Sequence, residues 1–267
     1  MVFPADDAFA RDVATAAGER LLKIREQGAS HLHAGAGGSP PAGHTDELRK
    51  AGDLGAQDFL AAELTRMRPD DAVLSEEAAD DLARLKAERV WIIDPLDGTR
   101  EFGEPPRVDW AVHVALWERG ELTAGAVALP AQGKTLSTAE PPPTPPALAE
   151  GARIRLVVSR SRPPEFVTRL AEHINAELVP LGSAGAKAAA VITGDVDAYV
   201  HAGGQYEWDN AAPVAVARAA GLHTSRIDGS ELAYNSEKPW MPDILICPVS
   251  LASTLLSAIS AVQQVGQ

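Results

Sequence analysis

From Ala10 onward apolar residues return every three or four positions, at Val13, Ala14, Ala17, Leu21 and Ile24, the spacing of one buried helix face. The pattern predicts a first helix that ends near Gly28. A second helical stretch runs from about Asp53 to Met67 and puts Ala56, Leu60 and Leu64 on one side. Between them, Ala29 to His44 is rich in Gly, His and Pro and offers little apolar surface to bury, so a surface loop is expected. Val73 to Ser75 and Val90 to Ile93 read as short buried strands. Trp110 to Trp117 and Leu122 to Leu129 flank an Arg-Gly turn and read as a hairpin.

Prolines between Pro141 and Pro146 favour an extended connector. Beyond it the pattern alternates: a strand at Ile154 to Ser159, a helix from Pro163 to about Asn175, a strand near Leu178, and a small-residue helix from Ala184 to Thr193. A strand at Ala198 to Val200 precedes a helix from Asp209 to Ala220, closed by Gly221. Ile244 to Cys247 and a helix from Leu251 to Gln263 finish the chain. The fold class is therefore α+β, with helices and sheets in layers and no internal repeat. Residues 1–140 form an expected first half of helices beside an antiparallel sheet, 150–267 a second α/β half, and 141–149 the connector.

Composition narrows the function. The chain has 267 residues, 45% of them hydrophobic, enough for one large domain or two intimate halves. Its formal charge of −13 excludes a coat for nucleic acid polymers. Cys247 is the only cysteine, so no intramolecular disulfide is possible, and it reads as a small core residue. Met1 to Arg11 lacks a basic segment leading into an apolar one, and no run of about 18 apolar residues occurs. A cytoplasmic protein that neither spans nor coats a membrane is expected. An acidic protein still binds anionic phosphate where its carboxylates gather divalent cations.

The stretch Trp91-Ile92-Ile93-Asp94-Pro95-Leu96-Asp97-Gly98-Thr99 carries that chemistry. An apolar strand enters two carboxylates separated by two residues, with Pro95 fixing φ and Gly98 permitting a tight turn. Asp94, Asp97 and the Leu96 carbonyl then face one point, a hard-oxygen set suited to Mg²⁺. Thr99 reads as the start of a helical turn whose free N–H groups, with that of Gly98, hold an anion. Glu76 and Glu77 follow a strand; Glu76 is either a further ligand or a partner for a helix dipole. Asp209 is either a ligand or an N-cap. Asp53 lies on the face of Leu60 and Leu64, where a lone carboxylate is costly, so it either caps its helix or meets a cation. The Thr99 hydroxyl, linked to Asp53, is placed to orient or deprotonate a water that attacks phosphate in line. His31, His33 and His44 lack matched cysteines and do not make a zinc site.

Together Asp53, Glu76-Glu77, Asp94 to Thr99, Gly182-Ser183 and Trp208-Asp209-Asn210-Ala211-Ala212 resemble the lithium-sensitive, Mg²⁺-dependent phosphatases. This family includes inositol monophosphatases, fructose bisphosphatases and 3′(2′),5′-bisphosphate nucleotidases. The resemblance spans most of the chain and implies the layered αβαβα fold of the inositol monophosphatases. It implies two or three Mg²⁺ per site held by Glu76, Asp94, the Leu96 carbonyl, Asp97 and Asp209, competition by Li⁺, and a homodimer. It places Asp53, Thr99 and Glu76 in catalysis, and Gly98, Thr99, Gly182, Ser183 and Asp209 against the substrate. Glu104 and Leu222 depart from the family's usual residues without touching a proposed ligand; Gly52, also unusual, stands directly before Asp53 and bears on its placement.

Three features resemble the bisphosphate nucleotidase branch: Ser159-Arg160-Ser161, although Arg162 replaces a His; Lys187 after Gly182-Ser183; and Pro213 after Ala211-Ala212. The implied substrate is 3′-phosphoadenosine 5′-phosphate, with the 5′-phosphosulfate form accepted, in a reaction that recycles a by-product of sulfate assimilation. Such a substrate carries two anionic groups, so Arg160 and Lys187 are candidates to clamp the one away from the metals. Their bland alternatives are a solvated strand-end arginine and a surface lysine. Tyr206 and Glu207 are candidates for shaping a base pocket. The competing activities are inositol monophosphatase and fructose 1,6-bisphosphatase. A noncatalytic nucleotide or metal sensor is the alternative of another class.

Overall fold

In the computed structural model, which describes residues 4–33, 44–161 and 163–265, two long helices come first, α1 (Asp6–His33) and α2 (His44–Met67). The first sheet follows: β1 (Ala72–Ser75), β2 (Arg89–Asp97), β3 (Ala111–Glu118), β4 (Glu121–Leu129) and β5 (Lys134–Ser137), with the short helix α3 (Thr99–Phe102) after β2. These strands lie in chain order, β1 parallel to β2 and the rest antiparallel. The second half contributes β6 (Arg155–Ser159), α4 (Glu165–His173), β7 (Glu177–Leu181), α5 (Ala184–Ile192), β8 (Ala198–Tyr206), α6 (Glu207–Ala219), β9 (Leu222–Ser225), β10 (Trp240–Pro248) and α7 (Val249–Val265). Its sheet has the order β7-β6-β8-β10-β9.

The uninterrupted apolar run Val90-Trp91-Ile92-Ile93 is explained by burial on both faces of its strand. Trp91 and Ile93 point to a core shared with Phe9, Val13 and Leu21 of α1 and Leu60 and Leu64 of α2. Val90 and Ile92 point the other way, into a core shared with α5, α6 and the second sheet. Strand β10 alternates likewise: Ile244 and Ile246 enter that central core, while Leu245 and Cys247 pack with α4 and α7. The layers are thus α1/α2, first sheet, α5/α6, second sheet and α4/α7, the αβαβα arrangement. The central helices carry small side chains, among them Ala186, Ala188, Ala189, Ala211, Ala212 and Ala217. A helix buried on all sides needs them so that two sheets approach it closely.

Several boundaries differ from expectation. Helix α1 runs past Gly28 to His33; of the expected loop, residues 29–33 are helical and 34–43 lie outside the described residues. Helix α2 begins at His44 rather than Asp53, with Asp46 and Glu47 complementing the dipole of its first turn and Leu48 reaching the core. Asp53 is therefore in the helix interior and is not a cap. β2 stays extended through Asp97 instead of turning after Ile93. Strands β5 and β9 were not expected: Lys-Thr-Leu-Ser and Leu-His-Thr-Ser are short and lack a clear apolar alternation. Arg162 falls outside the described residues. Among the described residues no helix is long and apolar enough to cross a membrane.

Charged residues lock the halves together. Arg84, only 1% exposed, donates to both Asp80 carboxylate oxygens at 2.6 and 2.9 Å, to Asn235 Oδ1 at 2.6 Å and to the Ser236 carbonyl at 2.9 Å. Glu207, the first residue of α6, accepts from the Asn235 and Ser236 N–H groups at 2.7 and 2.9 Å. Arg84 of the first half thereby holds the loop that holds the start of α6. Arg84→Met is expected to lower stability by about 2–4 kcal/mol, since it strands buried acceptors. The measurement is a urea midpoint that falls with an unchanged m value.

Candidate active site

The bulge in β2 creates the site. Asp94 pairs with His113 of β3 and Asp97 with Ala111, so three residues on one strand span two on the other. Side chains alternate along a strand, and an offset of three would send the two carboxylates to opposite faces. The extra residue returns both to one face. Asp94 bends back to accept from the Leu96 N–H at 3.0 Å. Gly98, at φ 84°, then turns the chain into α3. The Thr99 hydroxyl lies 3.0 Å from the Leu96 carbonyl and 3.1 Å from Asp53 Oδ1. A side chain at Gly52 would place its Cβ 2.7 Å from the Phe102 ring and 2.8 Å from Leu96 Cδ2. Glycine there lets α2 approach closely enough for Asp53 to reach Thr99.

Asp97 is gripped by the start of α5. Its carboxylate accepts from the Ala184 N–H at 3.0 Å, the Gly185 N–H at 2.6 Å and the Ser183 hydroxyl. Ser183 is the N-cap and also accepts from the Ala186 N–H at 2.9 Å. It sits at φ 53°, ψ 138°, a conformation that disfavours any side chain and is held by these bonds. Gly182 donates its N–H to Asp109 at 2.7 Å. Asp209 is at the third position of α6 rather than its cap, and accepts from the Tyr206 N–H at 2.6 Å. The helix starts two residues before the expected point because Glu207 is anchored by the Asn235–Ser236 loop.

Carboxylate oxygens of Asp94, Asp97 and Asp209 lie within 4.8 Å of one another. Glu76, in the exposed turn after β1, stands outside that trio but is close enough to Asp94 for each to alter the other's protonation. Crowding four acids shows in their protonation. Burial, then the Glu76 charge, pushes Asp94 well above the carboxylate range. Burial pushes Glu76 up to about 7 against its bond to Asp94, with Asp209 adding to the rise. Burial, then the Asp97 charge, brings Asp209 to about 6. Asp53 also rises to about 6, through burial and then Glu77. Asp97 alone goes down: burial raises it, but the charge and hydrogen bond of His113, Lys187 and Ser183 outweigh that.

His113 was missed in the sequence, where its signal was a single imidazole in an otherwise apolar strand. It is fully buried, Nδ1 3.0 Å from the Trp208 carbonyl and Nε2 3.3 Å from Asp97 Oδ2. Lys187 is buried, not a surface lysine: its ammonium donates to the Ser183 carbonyl at 2.5 Å and lies 5.5 Å from the Tyr199 ring centre. Burial lowers its pKa. Arg160 is partly buried and paired with Glu101 at 2.7 Å and Glu104 at 2.9 Å, so Glu104 serves as a counter-charge. Asp109 and Glu101, both buried, are further acids near Gly182 that the sequence did not reveal. Cys247 is buried.

The donor set fits Mg²⁺, being all oxygen, with carboxylates that repel one another unless a cation lies between them. An αβαβα sandwich with such a cluster between its two sheets defines a metal-dependent phosphatase. The sequence profile of the inositol monophosphatase family matches residues 6–264, and the chain belongs to that family, whose members are in general Mg²⁺-dependent. A 3′-phosphoadenosine 5′-phosphate phosphatase of Mycobacterium leprae is 49% identical over 270 residues, covering 97% of this chain and 95% of that protein. The Escherichia coli 3′(2′),5′-bisphosphate nucleotidase CysQ is 31% identical over 208 residues, 72% of this chain and 81% of its own length. The crystal structure of CysQ from Bacteroides thetaiotaomicron superposes with a TM-score of 0.74 at 26% identity, over 91% of this chain and 97% of that one.

The acid cluster sets a pH-dependent stability. Asp53, Glu76 and Asp209 hold their protons in the folded state up to about 6, 7 and 6, well above the ordinary carboxylate range. The folded state holds more protons than the unfolded one across that window, so metal-free stability falls as pH rises through it. Mg²⁺ reverses the repulsion. Its effect on Tm is expected to be small at pH 5 and to reach roughly 5–10 °C at pH 8 and a hundredfold excess over Kd. Thermal scans with and without Mg²⁺ measure this, and Asp209→Asn is expected to shrink the shift.

Proposed function

We propose that this protein is a Mg²⁺-dependent phosphomonoesterase that converts 3′-phosphoadenosine 5′-phosphate to AMP and phosphate and also accepts the 5′-phosphosulfate form. The names of the relatives at 49% and 31% identity support the substrate. The observation that carries the hydrolytic role is the Thr99 hydroxyl, 3.1 Å from an Asp53 carboxyl raised to about 6. Asp94, Asp97, Asp209, Glu76 and the Leu96 carbonyl are the proposed metal ligands. Bound Mg²⁺ supplies charge neutralisation at phosphate oxygens and a lowered pKa for water.

The protein's own part is to hold and move a proton. A hydroxyl has one hydrogen and two lone pairs. Donating to Asp53, Thr99 keeps its oxygen free to accept a hydrogen from the attacking water. As the water oxygen bonds to phosphorus and the bond from phosphorus to the ribose 3′ oxygen breaks, the water's proton passes to Thr99 while Thr99 passes its own to Asp53, and the departing 3′ oxygen takes a proton from solvent water to become the hydroxyl of AMP. A carboxylate with its pKa near 6 accepts that proton more readily at neutral pH than an ordinary aspartate. Asp97, held by the start of α5, stays ionised and fixed. Gly98 and the Gly182-Ser183 pair line the phosphate side. For the second phosphate, Lys187 supplies a buried ammonium, while Arg160 would have to exchange Glu101 or Glu104 for it. Li⁺ competition and a role in clearing the bisphosphate nucleotide left by sulfate assimilation belong to the same reading.

In a phosphate-release assay with Mg²⁺, 3′-phosphoadenosine 5′-phosphate is expected to give a higher kcat/KM than inositol 1-phosphate or fructose 1,6-bisphosphate. Preference for inositol 1-phosphate would overturn the nucleotide assignment. Thr99→Ala is expected to lower kcat by roughly 10²- to 10⁴-fold with little loss of ligand affinity. An unaltered kcat would remove Thr99 from water activation, and a wild type without turnover would make the protein a sensor.

A further inference from the structure

The metal cluster and its phosphate side account for the polar half of a nucleotide and leave the base without a seat. Beside them lies an aromatic surface that metal chemistry does not use. Strands β8 and β10 are antiparallel, with Trp240 directly opposite Tyr206, so their side chains leave the sheet on the same face. Gly204, two residues before Tyr206, shares that face. A Cβ at Gly204 would lie 2.7 Å from Trp240 Nε1, which shows that the indole lies across the glycine. The Tyr206 ring stacks on Trp208, with centroids 4.7 Å apart and planes 8° from parallel. Despite these contacts, Tyr206 is 48% and Trp240 54% exposed.

Single exposed apolar residues are ordinary. Here the two exposed aromatics are cross-strand neighbours, and one of them, Tyr206, is bonded directly to an acid of the cluster. The Tyr206 N–H donates to the Asp209 carboxylate at 2.6 Å. The Trp208 carbonyl contacts His113, which faces Asp97. Aromatic faces suit a flat, uncharged π system, which an acidic protein does not repel, and every nucleobase presents one. An aliphatic or peptide occupant would not call for stacked rings next to a cluster built for phosphate.

We propose that Trp240 and Tyr206 form a stacking platform for the purine base of the substrate, on the sheet edge that leads into Asp209. This rests on the nucleotide reading above and names the residues that separate a nucleotide from a sugar or inositol phosphate. The Tyr206 backbone positions Asp209 while its ring meets the base, so one residue links recognition to the reacting centre. Gly204 is required because any side chain there would displace Trp240.

The test compares AMP with ribose 5-phosphate, which differ only by the base, using calorimetry with Mg²⁺ on the wild type, Trp240→Ala, Tyr206→Ala and Trp240→Phe. Each alanine variant is expected to weaken AMP by roughly 5- to 150-fold. Ribose 5-phosphate should be unchanged, and Trp240→Phe should keep AMP affinity near that of the wild type. In Trp240→Ala, KM for 3′-phosphoadenosine 5′-phosphate should rise in parallel with kcat unaltered. Equal weakening of both ligands, no weakening of AMP, or no AMP binding by the wild type would each overturn the platform. Failure of the phosphatase reading shows separately, as a wild type that binds AMP but releases no phosphate from the bisphosphate.

Discussion

Repulsion among buried carboxylates is the constraint around which this protein is built. Two like charges 4 Å apart at the effective dielectric of a protein oppose each other by about 4 kcal/mol, and the oxygens of Asp94, Asp97 and Asp209 converge within 4.8 Å. The fold meets this in two ways. Asp97 is kept ionised by the backbone amides at the start of α5, by Ser183 and by His113. Asp94, Glu76 and Asp209 are left as acids whose protons a cation can displace. One fixed anion and several adjustable ones make a site that is tolerated without metal and favourable with it.

The same constraint explains the layering. Asp94 and Asp97 come from the first sheet, while Asp209 and the amides that hold Asp97 come from helices of the second half. The cluster exists only if those helices lie directly on the first sheet, and small residues along α5 and α6 permit that approach. The Asp80–Arg84–Asn235 contacts and the two bonds to Glu207 set the start of α6 from the opposite side. Precision at Asp209 is thus obtained from a buried polar network rather than from apolar contact, which specifies position less sharply.

Local features of the site were legible in the sequence. Asp94 to Thr99 form one short segment, and hard oxygens on a constrained backbone suggested magnesium before any fold was known. The β2 bulge was not legible, because it is defined by the register against His113 and Ala111, residues about twenty positions away. His113, Asp109 and Glu101 lie beyond local pattern for the same reason: the partners that tie them to the site, Asp97 and Trp208, Gly182, and Arg160, are distant in the chain. The sequence leaves Lys187 open between a clamp and a surface residue, since nothing in Ala-Gly-Ala-Lys says that α5 is enclosed by two sheets. Asp53 was placed on the right face, but the helix containing it starts nine residues earlier, where the apolar periodicity is weak and the acidic first turn is the better signal.

The segment Tyr206-Glu207-Trp208-Asp209 shows how little chain is needed to join these roles. The chain passes here from the end of β8 into the first turn of α6, so four neighbours can serve four surroundings. Tyr206 faces solvent, Glu207 the Asn235–Ser236 loop, the Trp208 carbonyl His113, and Asp209 the acid cluster. Hydrolysis at the metals is indifferent to the alcohol being released, so substrate choice must be imposed by groups that touch what lies beyond the phosphate. Placing such a group at the N-cap of α6, three residues from a proposed metal ligand, means that a shift of this helix start disturbs recognition and catalysis together. Glu207 was a candidate for the base pocket, but its carboxylate is buried and taken by the Asn235 and Ser236 N–H groups, so its part is to hold that helix start and thereby to act on both.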